Sequence, residues 1–273
     1  MAKPVVRDGS YVIVGAGVFG TSVALHLIQK YPSANVILID RTPFPSQVGA
    51  SWDWNKVIRA DYTNLLYMEL ALEAMTWWRS DPLYKPFYHE SGLVWVDNKG
   101  LPQTIIDNYK KLNSTDKFRL AKPQETKRLW NGIHADASYD GVTDMLVNES
   151  SGWAEASTAL EKVIERAVTL GVKYIVADVK AVIFDDQGSS TGVQTKNGDV
   201  LSASHIILAT GATTAALLAD SAPQRDEIQV GNRVVAAAIC TGMVILSDED
   251  AKYFRNGPVF IHEGEDTLGQ YSP

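Results

Sequence analysis

The stretch YVIVGAGVFG, residues 11–20, carries the strongest structural signal in this chain of 273 residues. Its apolar half predicts a buried parallel strand, and Gly15 permits the tight turn that leaves this strand. Gly17 lets the backbone approach a diphosphate, and Gly20 lets the next helix pack closely against the strand. The first turn of that helix offers N–H groups and a partial positive charge to phosphate oxygens.

A second strand that ends in an acidic residue completes the pattern. Residues 18–31 have the apolar spacing of a helix, and Val36–Ile39 predicts the next parallel strand. Asp40 follows directly, twenty residues beyond Gly20, where a carboxylate can accept hydrogen bonds from ribose hydroxyls. The sequence therefore predicts a βαβ unit that binds a dinucleotide.

The composition is that of a globular protein, with 45% hydrophobic and 21% charged residues and a net charge of −7. A chain without a basic surplus is a poor partner for nucleic acid. No window approaches the ~18 consecutive apolar residues of a membrane span. We therefore expect a soluble, cytoplasmic protein that binds neither nucleic acid nor membrane, with a peroxisomal location left open for a longer form.

Histidine and cysteine are too sparse for a metal site. The five histidines are scattered without ligand-like spacing, and Cys240 is the single cysteine. One cysteine excludes an internal disulfide, and its place in the apolar run 234–240 predicts a small buried side chain. We expect no bound metal.

The order of elements predicts an interrupted α/β chain. Residues 1–80 form the first part of a dinucleotide-binding domain, and residues 81–150 interrupt it with a strand at 92–96 and polar helices. Residues 151–222 resume the domain and include Asn197-Gly198, a dipeptide typical of a two-residue hairpin turn. Residues 223–273 are expected to add incomplete strands to the inserted domain.

Local patterns give further expectations for individual elements. The helix from about Asn64 to Trp78 is expected to bury one face, made of Leu66, Leu70, Ala74, Trp77 and Trp78. Residues 234–245 predict a strand, and Ser247 predicts the capped start of a helix. From Gly257 onward we expect few elements.

Four segments, in this order, resemble a family of flavoproteins. They are the glycine loop with Asp40, residues 49–62 (GASWDWNKVIRADY), residues 152–154 (GWA) opening a helix that stops at Gly171 before Val179, and residues 209–212 (ATGA). The chain is similar to enzymes with the fold of D-amino-acid oxidase and monomeric sarcosine oxidase. It looks nearest to the fungal fructosyl-amino-acid oxidases (amadoriases) and to the saccharopine and pipecolate oxidases.

The resemblance implies an α/β fold class. It implies an FAD-binding Rossmann-like domain of the glutathione-reductase type, with an inserted α+β substrate domain. The cofactor implied is FAD. The activity implied is oxidation of the C–N bond of a secondary amine or amino acid by O2, giving an imine and H2O2. The partners are then a small amine and O2, and we expect a monomer.

The resemblance also implies roles for residues of this chain. The backbone of Val18 and Phe19 is expected on the diphosphate, Asp40 on the adenosine ribose, and the backbone of Val179 at the adenine. Ser51 falls along the approach to the flavin, and Lys56 matches a basic residue beside the isoalloxazine ring. The full cofactor-binding set is Gly15, Ala16, Gly17, Val18, Phe19, Gly20, Asp40, Arg41, Ser51, Asn55, Lys56, Val179, Ala209, Thr210 and Gly211.

The chain departs from the family pattern in its length. Family members are longer, and the cysteine that attaches their flavin and the lysine thought to activate O2 lie in a carboxy-terminal region beyond Pro273. Cys240 lies in the wrong segment for this attachment. We therefore expect a form that lacks the carboxy-terminal part of the family fold, and we name no catalytic residue.

Two alternatives stay open. The first is a non-catalytic flavin-binding remnant of such an oxidase, and the second is a nicotinamide-dependent dehydrogenase. Asp40 suits NAD as well as FAD, whereas the segment Ala209-Thr210-Gly211 favours FAD. Asp53 and Arg59 receive no chemical role.

Overall fold

A computed structural model describes residues 9–97, 100–237, 240–264 and 267–271. The chain divides into two compact units. The first unit comprises Met1–Trp54 and Ala156–Thr241, and the second comprises Asn55–Glu155 and Gly242–Pro273. The boundaries of these units fall at 54/55, 155/156 and 241/242. The sequence predicted domain boundaries at 80/81, 150/151 and 222/223, and the domain assignment itself stays a prediction.

The strands are β1 (Ser10–Val14), β2 (Asn35–Asp40), β3 (Lys56–Ile58), β4 (Tyr88–His89), β5 (Leu93–Asp97), β6 (Phe118–Ala121), β7 (Met145–Asn148), β8 (Gly152–Ala154), β9 (Lys173–Val176), β10 (Val179–Phe184), β11 (Ser190–Thr195), β12 (Val200–Ser202), β13 (His205–Leu208), β14 (Val259–Gly264) and β15 (Thr267–Tyr271). The helices are α1 (Val18–Lys30), α2 (Leu65–Ser80), α3 (Leu101–Lys111), α4 (Pro123–Thr126), α5 (Ala156–Thr169), α6 (Thr214–Ser221) and α7 (Asp248–Phe254).

The first unit contains a parallel sheet in the order β13-β1-β2-β9. Val14 lies opposite Leu208 on one side and Ile39 on the other, so these three strands end at the same edge. The predicted βαβ start is therefore present, with α1 connecting β1 to β2. Val12, Ile13 and Leu38 are fully buried, as expected for a parallel sheet whose two faces are both covered.

A second, antiparallel sheet in the first unit has the order β10-β11-β12. Asn197-Gly198 connects β11 to β12, and Gly198 adopts a φ of +94°, which favours glycine. The predicted hairpin is present, but its loop is longer than the two residues expected: the Thr195 amide donates to the Asp199 carbonyl at 2.9 Å and the Gly198 amide to the Thr195 carbonyl at 3.1 Å, so residues 196–198 form the loop.

The second unit is built on a mixed five-stranded sheet in the order β15-β14-β5-β7-β6. Every residue of the central strand β5 is buried. Side chains of α2 and α3 join β5, β7 and β14 in one core, which includes Met68, Met75, Ile105, Tyr109 and Leu146. A small sheet in the order β3-β8-β4 completes this unit.

Helix α2 buries a different face from the one that the sequence predicted. Met68 and Met75 are buried at 0% and 1% exposure, whereas Leu66, Leu70 and Trp77 are 58%, 55% and 49% exposed. Met68 and Met75 are seven residues apart and therefore lie on one face. Because both faces of this helix are apolar, periodicity could not tell which of them meets the core.

The carboxy-terminal residues also differ from expectation. Residues 234–237 and 240–245 form no strand within the described structure, and Cys240 is exposed rather than buried. In contrast, β14 pairs parallel with β5 and antiparallel with β15, in a region where few elements were expected. Strands depend on partners that are distant in sequence, and local patterns do not reveal these partners.

The predicted capped start of α7 is confirmed, because the Ser247 hydroxyl accepts a hydrogen bond from the Asp250 amide at 3.1 Å.

The core of the second unit yields a prediction with a matched control. Leu146 has 0% exposure and Leu66 has 58%. We expect Leu146→Ala to lower the free energy of unfolding by about 2–5 kcal/mol, because it leaves a cavity. Leu66→Ala should change it by only about 0.5 kcal/mol. Urea unfolding followed by tryptophan fluorescence would measure both changes. An equal loss of unfolding free energy in the two variants would show that Leu66 is buried, which would contradict the face of α2 assigned to solvent.

Candidate functional site

The glycine loop brings the start of α1 into direct contact with the end of β1. Gly15 has a φ of +102°, and a Cβ atom there would collide with the carbonyl oxygen of Ala209. A Cβ atom on Gly20 would collide with the carbonyl oxygen of Gly15. These two positions therefore require glycine for steric reasons, and α1 begins immediately at the carboxyl edge of the parallel sheet.

Asp40 is linked to the glycine loop by its carboxylate. One oxygen accepts a hydrogen bond from the Ala16 amide at 2.9 Å, and the other accepts one from the Thr42 amide at 3.2 Å. The Thr42 hydroxyl lies 3.3 Å from the same second oxygen. A carboxylate has about four acceptor positions, so three protein donors leave room for a hydroxyl donor such as a ribose.

Ser51 lies at the N-terminus of α1. Its hydroxyl oxygen accepts a hydrogen bond from the Val18 amide at 2.8 Å, and a Cβ atom on Gly17 would come within 3.0 Å of it. Val18 and Phe19 are 52% and 80% exposed. The first turn of α1 is thus accessible, and a hydroxyl oxygen already occupies an acceptor position at its amides.

The segment Ala209-Thr210-Gly211 lies beside the glycine loop. The Ala209 amide donates to the carbonyl oxygen of Val14 at 2.8 Å, which continues the pairing of β13 with β1 past the end of the strand. Val179 begins β10 and packs against the apolar cluster that contains Val14. The structure therefore brings these residues together with the glycine loop and Asp40 in the first unit.

The remaining sequence-predicted site residues are Arg41, Asn55 and Lys56. Arg41 follows β2 and is exposed. Asn55 and Lys56 belong to the second unit, where Lys56 begins β3 opposite Ala154 of β8 and is half-buried. The cofactor-binding roles of all these residues stay predictions.

These observations test whether the first unit fits the diphosphate and ribose of a dinucleotide. The N-terminus of α1 is accessible, the backbone around it cannot carry side chains at Gly15 or Gly20, and the Asp40 carboxylate lies at the end of β2. Such an arrangement binds a diphosphate through amide groups and a ribose through a carboxylate. The residues present therefore fit this part of the cofactor.

An aromatic clamp in the second unit holds Arg59, which the sequence left without a role. The guanidinium carbon lies 4.4 Å from the ring centre of Tyr62 and 4.5 Å from that of Trp95. The guanidinium also donates to the carbonyl oxygen of Asp61. With its faces on aromatic rings, such a group can bind an anion through its edge N–H groups. Tyr62, three residues after Arg59, is the only local signal of the clamp.

Asp61 is a fully buried carboxylic acid beside this clamp. It accepts hydrogen bonds from the hydroxyl of Tyr109 at 3.0 Å, the amide nitrogen of Asn148 at 2.8 Å and the hydroxyl of Ser151 at 2.8 Å. Burial raises the pKa of Asp61, and the bonds from Asn148 and Ser151, the charge of Arg59 and the bond from Tyr109 oppose this rise. The three donors lie 48, 87 and 90 positions away, so no local pattern predicts them.

Metal and membrane sites give no positive signal in the described parts of the chain. Among residues 9–97, 100–237, 240–264 and 267–271, no three His, Cys, Asp or Glu side chains lie close enough together to hold a metal ion. In the same ranges, no helix combines the length and apolar character needed to span a membrane.

The fold and the site define a dinucleotide-binding α/β protein, because a glycine turn, a helix N-terminus and a carboxylate meet at the carboxyl edge of a parallel sheet. Residues 10–261 match the family described as FAD dependent oxidoreductase. The chain belongs to this family, whose cofactor is FAD.

Relatives in sequence include two fungal oxidases. L-saccharopine oxidase of Schizosaccharomyces pombe is 30% identical over 266 residues, which cover 92% of this chain and 59% of that protein. Amino acid oxidase fsqB of Aspergillus fumigatus is 28% identical over 246 residues, which cover 77% of this chain and 50% of that protein. The resemblance to this group of flavoproteins is confirmed.

Solved structures show the same fold. A thermally stable mutant of fructosyl peptide oxidase aligns with a TM-score of 0.71 and 23% identity, over 94% of this chain and 60% of that one. Fructosamine oxidase (Amadoriase II) of Aspergillus fumigatus aligns with a TM-score of 0.68 and 24% identity, over 94% and 57%. The predicted fold class is confirmed, and the chain spans 60% or less of the length of these relatives.

The buried carboxylic acid yields a pH-dependent prediction. Because the pKa of Asp61 is raised above its ordinary value of 3.8, the folded state binds this proton more tightly than the unfolded state. The stabilising effect of that proton is therefore present at low pH and is lost as the pH rises through the folded pKa. Between the ordinary pKa of 3.8 and the raised pKa of the folded state, we expect the free energy of unfolding of the wild type to fall relative to that of Asp61→Asn. The expected slope is up to about 1.4 kcal/mol per pH unit.

Urea unfolding of both variants from pH 4 upward would measure this difference, because the amide in Asp61→Asn does not ionise. Asp186, which is exposed in a turn, provides a control: Asp186→Asn should keep the pH dependence of the wild type. A wild type and an Asp61→Asn variant with parallel pH profiles would contradict the raised pKa.

Proposed function

We propose that this protein is an FAD-dependent oxidase of secondary amines or amino acids, which uses O2 and gives an imine and H2O2. The observation that carries the proposal is the junction of the glycine loop, Asp40 and Ala209 at one sheet edge, in a chain of the FAD dependent oxidoreductase family. The names of the relatives, saccharopine oxidase and fructosamine oxidase, support an amine or amino acid as the substrate class.

The first unit is proposed to hold the adenosine diphosphate part of FAD. Amides at the start of α1, including those of Val18 and Phe19, bind the diphosphate, and the Ser51 hydroxyl at the Val18 amide either moves aside or adds a hydrogen bond. Asp40 accepts the ribose hydroxyls through its remaining acceptor capacity. The backbone of Val179 meets the adenine.

Lys56 and Arg59 are proposed to supply positive charge beside the flavin ring. When bound, FAD would take up a hydride equivalent from the carbon next to the substrate nitrogen, whose bond to that nitrogen becomes the C=N bond of the imine. In this proposal Lys56, the first residue of β3, stabilises the negative charge that would develop on the flavin ring. The clamped Arg59 lies three residues further along the same segment and adds a second cation.

A flavin-binding protein without oxidase activity is the second candidate. It is favoured by one point: every role that the family resemblance implies for a residue of this chain is a cofactor contact, and no residue is assigned a role on the substrate. A nicotinamide-dependent dehydrogenase is a third candidate, which Asp40 alone would permit.

A cytoplasmic location and a monomeric state also stay predictions. Imaging of the tagged protein would test the location, and sedimentation analysis would test the monomeric state.

One preparation separates these functions. We expect the purified chain to show flavin absorbance and to release peroxide when saccharopine, sarcosine or a fructosyl amino acid is added in air. Flavin absorbance without peroxide from any amine would support the non-catalytic flavoprotein. Turnover that depends on NADH, in a protein without flavin, would reject both flavin-based candidates.

Asp40→Ala tests the ribose contact within this preparation. Loss of the carboxylate removes the ribose acceptor and the bond to the Ala16 amide, so we expect flavin to dissociate about tenfold more readily. Asp186→Ala is the control, because it removes an exposed carboxylate from a turn. Equal flavin retention in both variants would reject the role of Asp40.

Lys56 tests the electrostatic part of the proposal. Lys56→Met should slow the reduction of bound flavin by amine roughly 100-fold, because the developing negative charge loses a nearby cation. Lys56→Arg keeps the charge and should recover most of the rate. Stopped-flow measurement of flavin bleaching distinguishes the variants, and an unchanged rate in Lys56→Met would remove Lys56 from the site.

A further inference from the structure

The loop that follows β2 places two hydroxyl side chains in a row beside Asp40. The Thr42 hydroxyl lies 3.3 Å from the Oδ1 atom of Asp40 and 2.9 Å from the hydroxyl of Ser46. Ser46 is buried, with 4% exposure, whereas Asp40 and Thr42 are half-buried. The three side chains therefore form a hydrogen-bonded chain that leads from a buried hydroxyl to the carboxylate at the end of β2.

The protons of this chain have one favoured direction. Each hydroxyl carries a single proton, so Thr42 can donate to Asp40 or to Ser46 but not to both. A carboxylate is a stronger acceptor than a neutral hydroxyl, because a hydrogen bond to it is charge-assisted. The Thr42 proton is therefore directed to Asp40, and the Ser46 proton to Thr42. In this direction the bond between the two hydroxyls strengthens the bond to the carboxylate.

The two oxygens of Asp40 then differ in the acceptor positions that they keep. Each carboxylate oxygen has about two such positions. Oδ1 accepts from the Thr42 amide at 3.2 Å and from the Thr42 hydroxyl, so both of its positions are filled. Oδ2 accepts from the Ala16 amide at 2.9 Å, and the described residues leave it one position. A ligand hydroxyl can therefore donate to Oδ2 but not to Oδ1.

We propose that Thr42 and Ser46 position Asp40 so that it accepts a single ribose hydroxyl, through Oδ2. The two hydroxyls of an adenosine ribose are neighbours, and a carboxylate with a free position on each oxygen can accept both. Thr42 closes Oδ1 to the second hydroxyl and is thus a positioning residue that limits the ribose contact to one bond. The inference rests on the proposed function in one respect, the placement of the adenosine ribose of FAD at Asp40.

Adenosine diphosphate and its two deoxy forms test this contact without a flavin ring. Isothermal titration of the full chain, freed of flavin, gives the dissociation constants of ADP, 2′-deoxy-ADP and 3′-deoxy-ADP for the wild type and for Asp40→Ala. The part of each loss of affinity that disappears in Asp40→Ala belongs to the bond with Asp40. We expect that part to be about tenfold for one deoxy form and at most about twofold for the other.

Variants of Thr42 and Ser46 test the two positioning side chains. Thr42→Val removes the hydroxyl and frees a position on Oδ1, so the second ribose hydroxyl gains an acceptor. We expect the deoxy form that the wild type tolerates to bind this variant roughly fivefold more weakly than ADP. Thr42→Ser keeps the hydroxyl and should retain the wild-type pattern. Ser46→Ala should retain it as well, because Thr42 still has its own proton to donate.

Three outcomes would overturn the inference. Equal losses for both deoxy forms that depend on Asp40 would show that the carboxylate accepts both hydroxyls. The absence of any such loss, or of ADP binding, would show that it accepts neither. A wild-type pattern in Thr42→Val would show that Thr42 does not limit the contact.

The proposed oxidase function fails on different readouts, namely flavin absorbance and peroxide release. A chain that shows the one-hydroxyl pattern but releases no peroxide would support this inference while rejecting the oxidase. A chain that releases peroxide but loses affinity equally for both deoxy forms would keep the oxidase and reject this inference.

Discussion

The close contact between the glycine loop and the end of β13 is the constraint on which the first unit depends. Side chains at Gly15 or Gly20 would collide with backbone carbonyl groups of Ala209 or Gly15. Because both positions lack a side chain, α1 can begin at the sheet edge and direct its amides outward. The same contact keeps Ala209 beside the loop, so the strands β13, β1 and β2 end together at one sheet edge.

The second unit is organised by a different interaction, the burial of Asp61. Its carboxyl group collects donors from α3, from β7 and from the residues before β8, and these bonds offset part of the free energy that burial of a carboxylate costs. Arg59 packs between Tyr62 and Trp95 beside this acid. A polar network thus fixes the backbone that follows β3, close in sequence to Lys56.

The chain belongs to the FAD dependent oxidoreductase family, and it contains both kinds of construction. A flavoenzyme needs a rigid site for the phosphates and ribose, and it needs charged groups that adjust the reactivity of the flavin ring. The first unit offers the rigid site through backbone groups, whose positions depend on glycine. In the second unit, the position of Arg59 depends on aromatic packing beside a buried acid.

The sequence by itself determined the βαβ start, the positions of the glycines, the acid at the end of β2, the hairpin at Asn197-Gly198 and the cap at Ser247. These features depend on residues within a few positions of each other or on a motif of fixed spacing. Only the tertiary structure decided which apolar face of α2 is buried, that the described residues 234–237 and 240–245 form no strand, and that β14 pairs with β5. It also assembled Asp61 with Tyr109, Asn148 and Ser151. These outcomes depend on which distant segment supplies the partner atoms, and hydrophobic periodicity does not specify that partner.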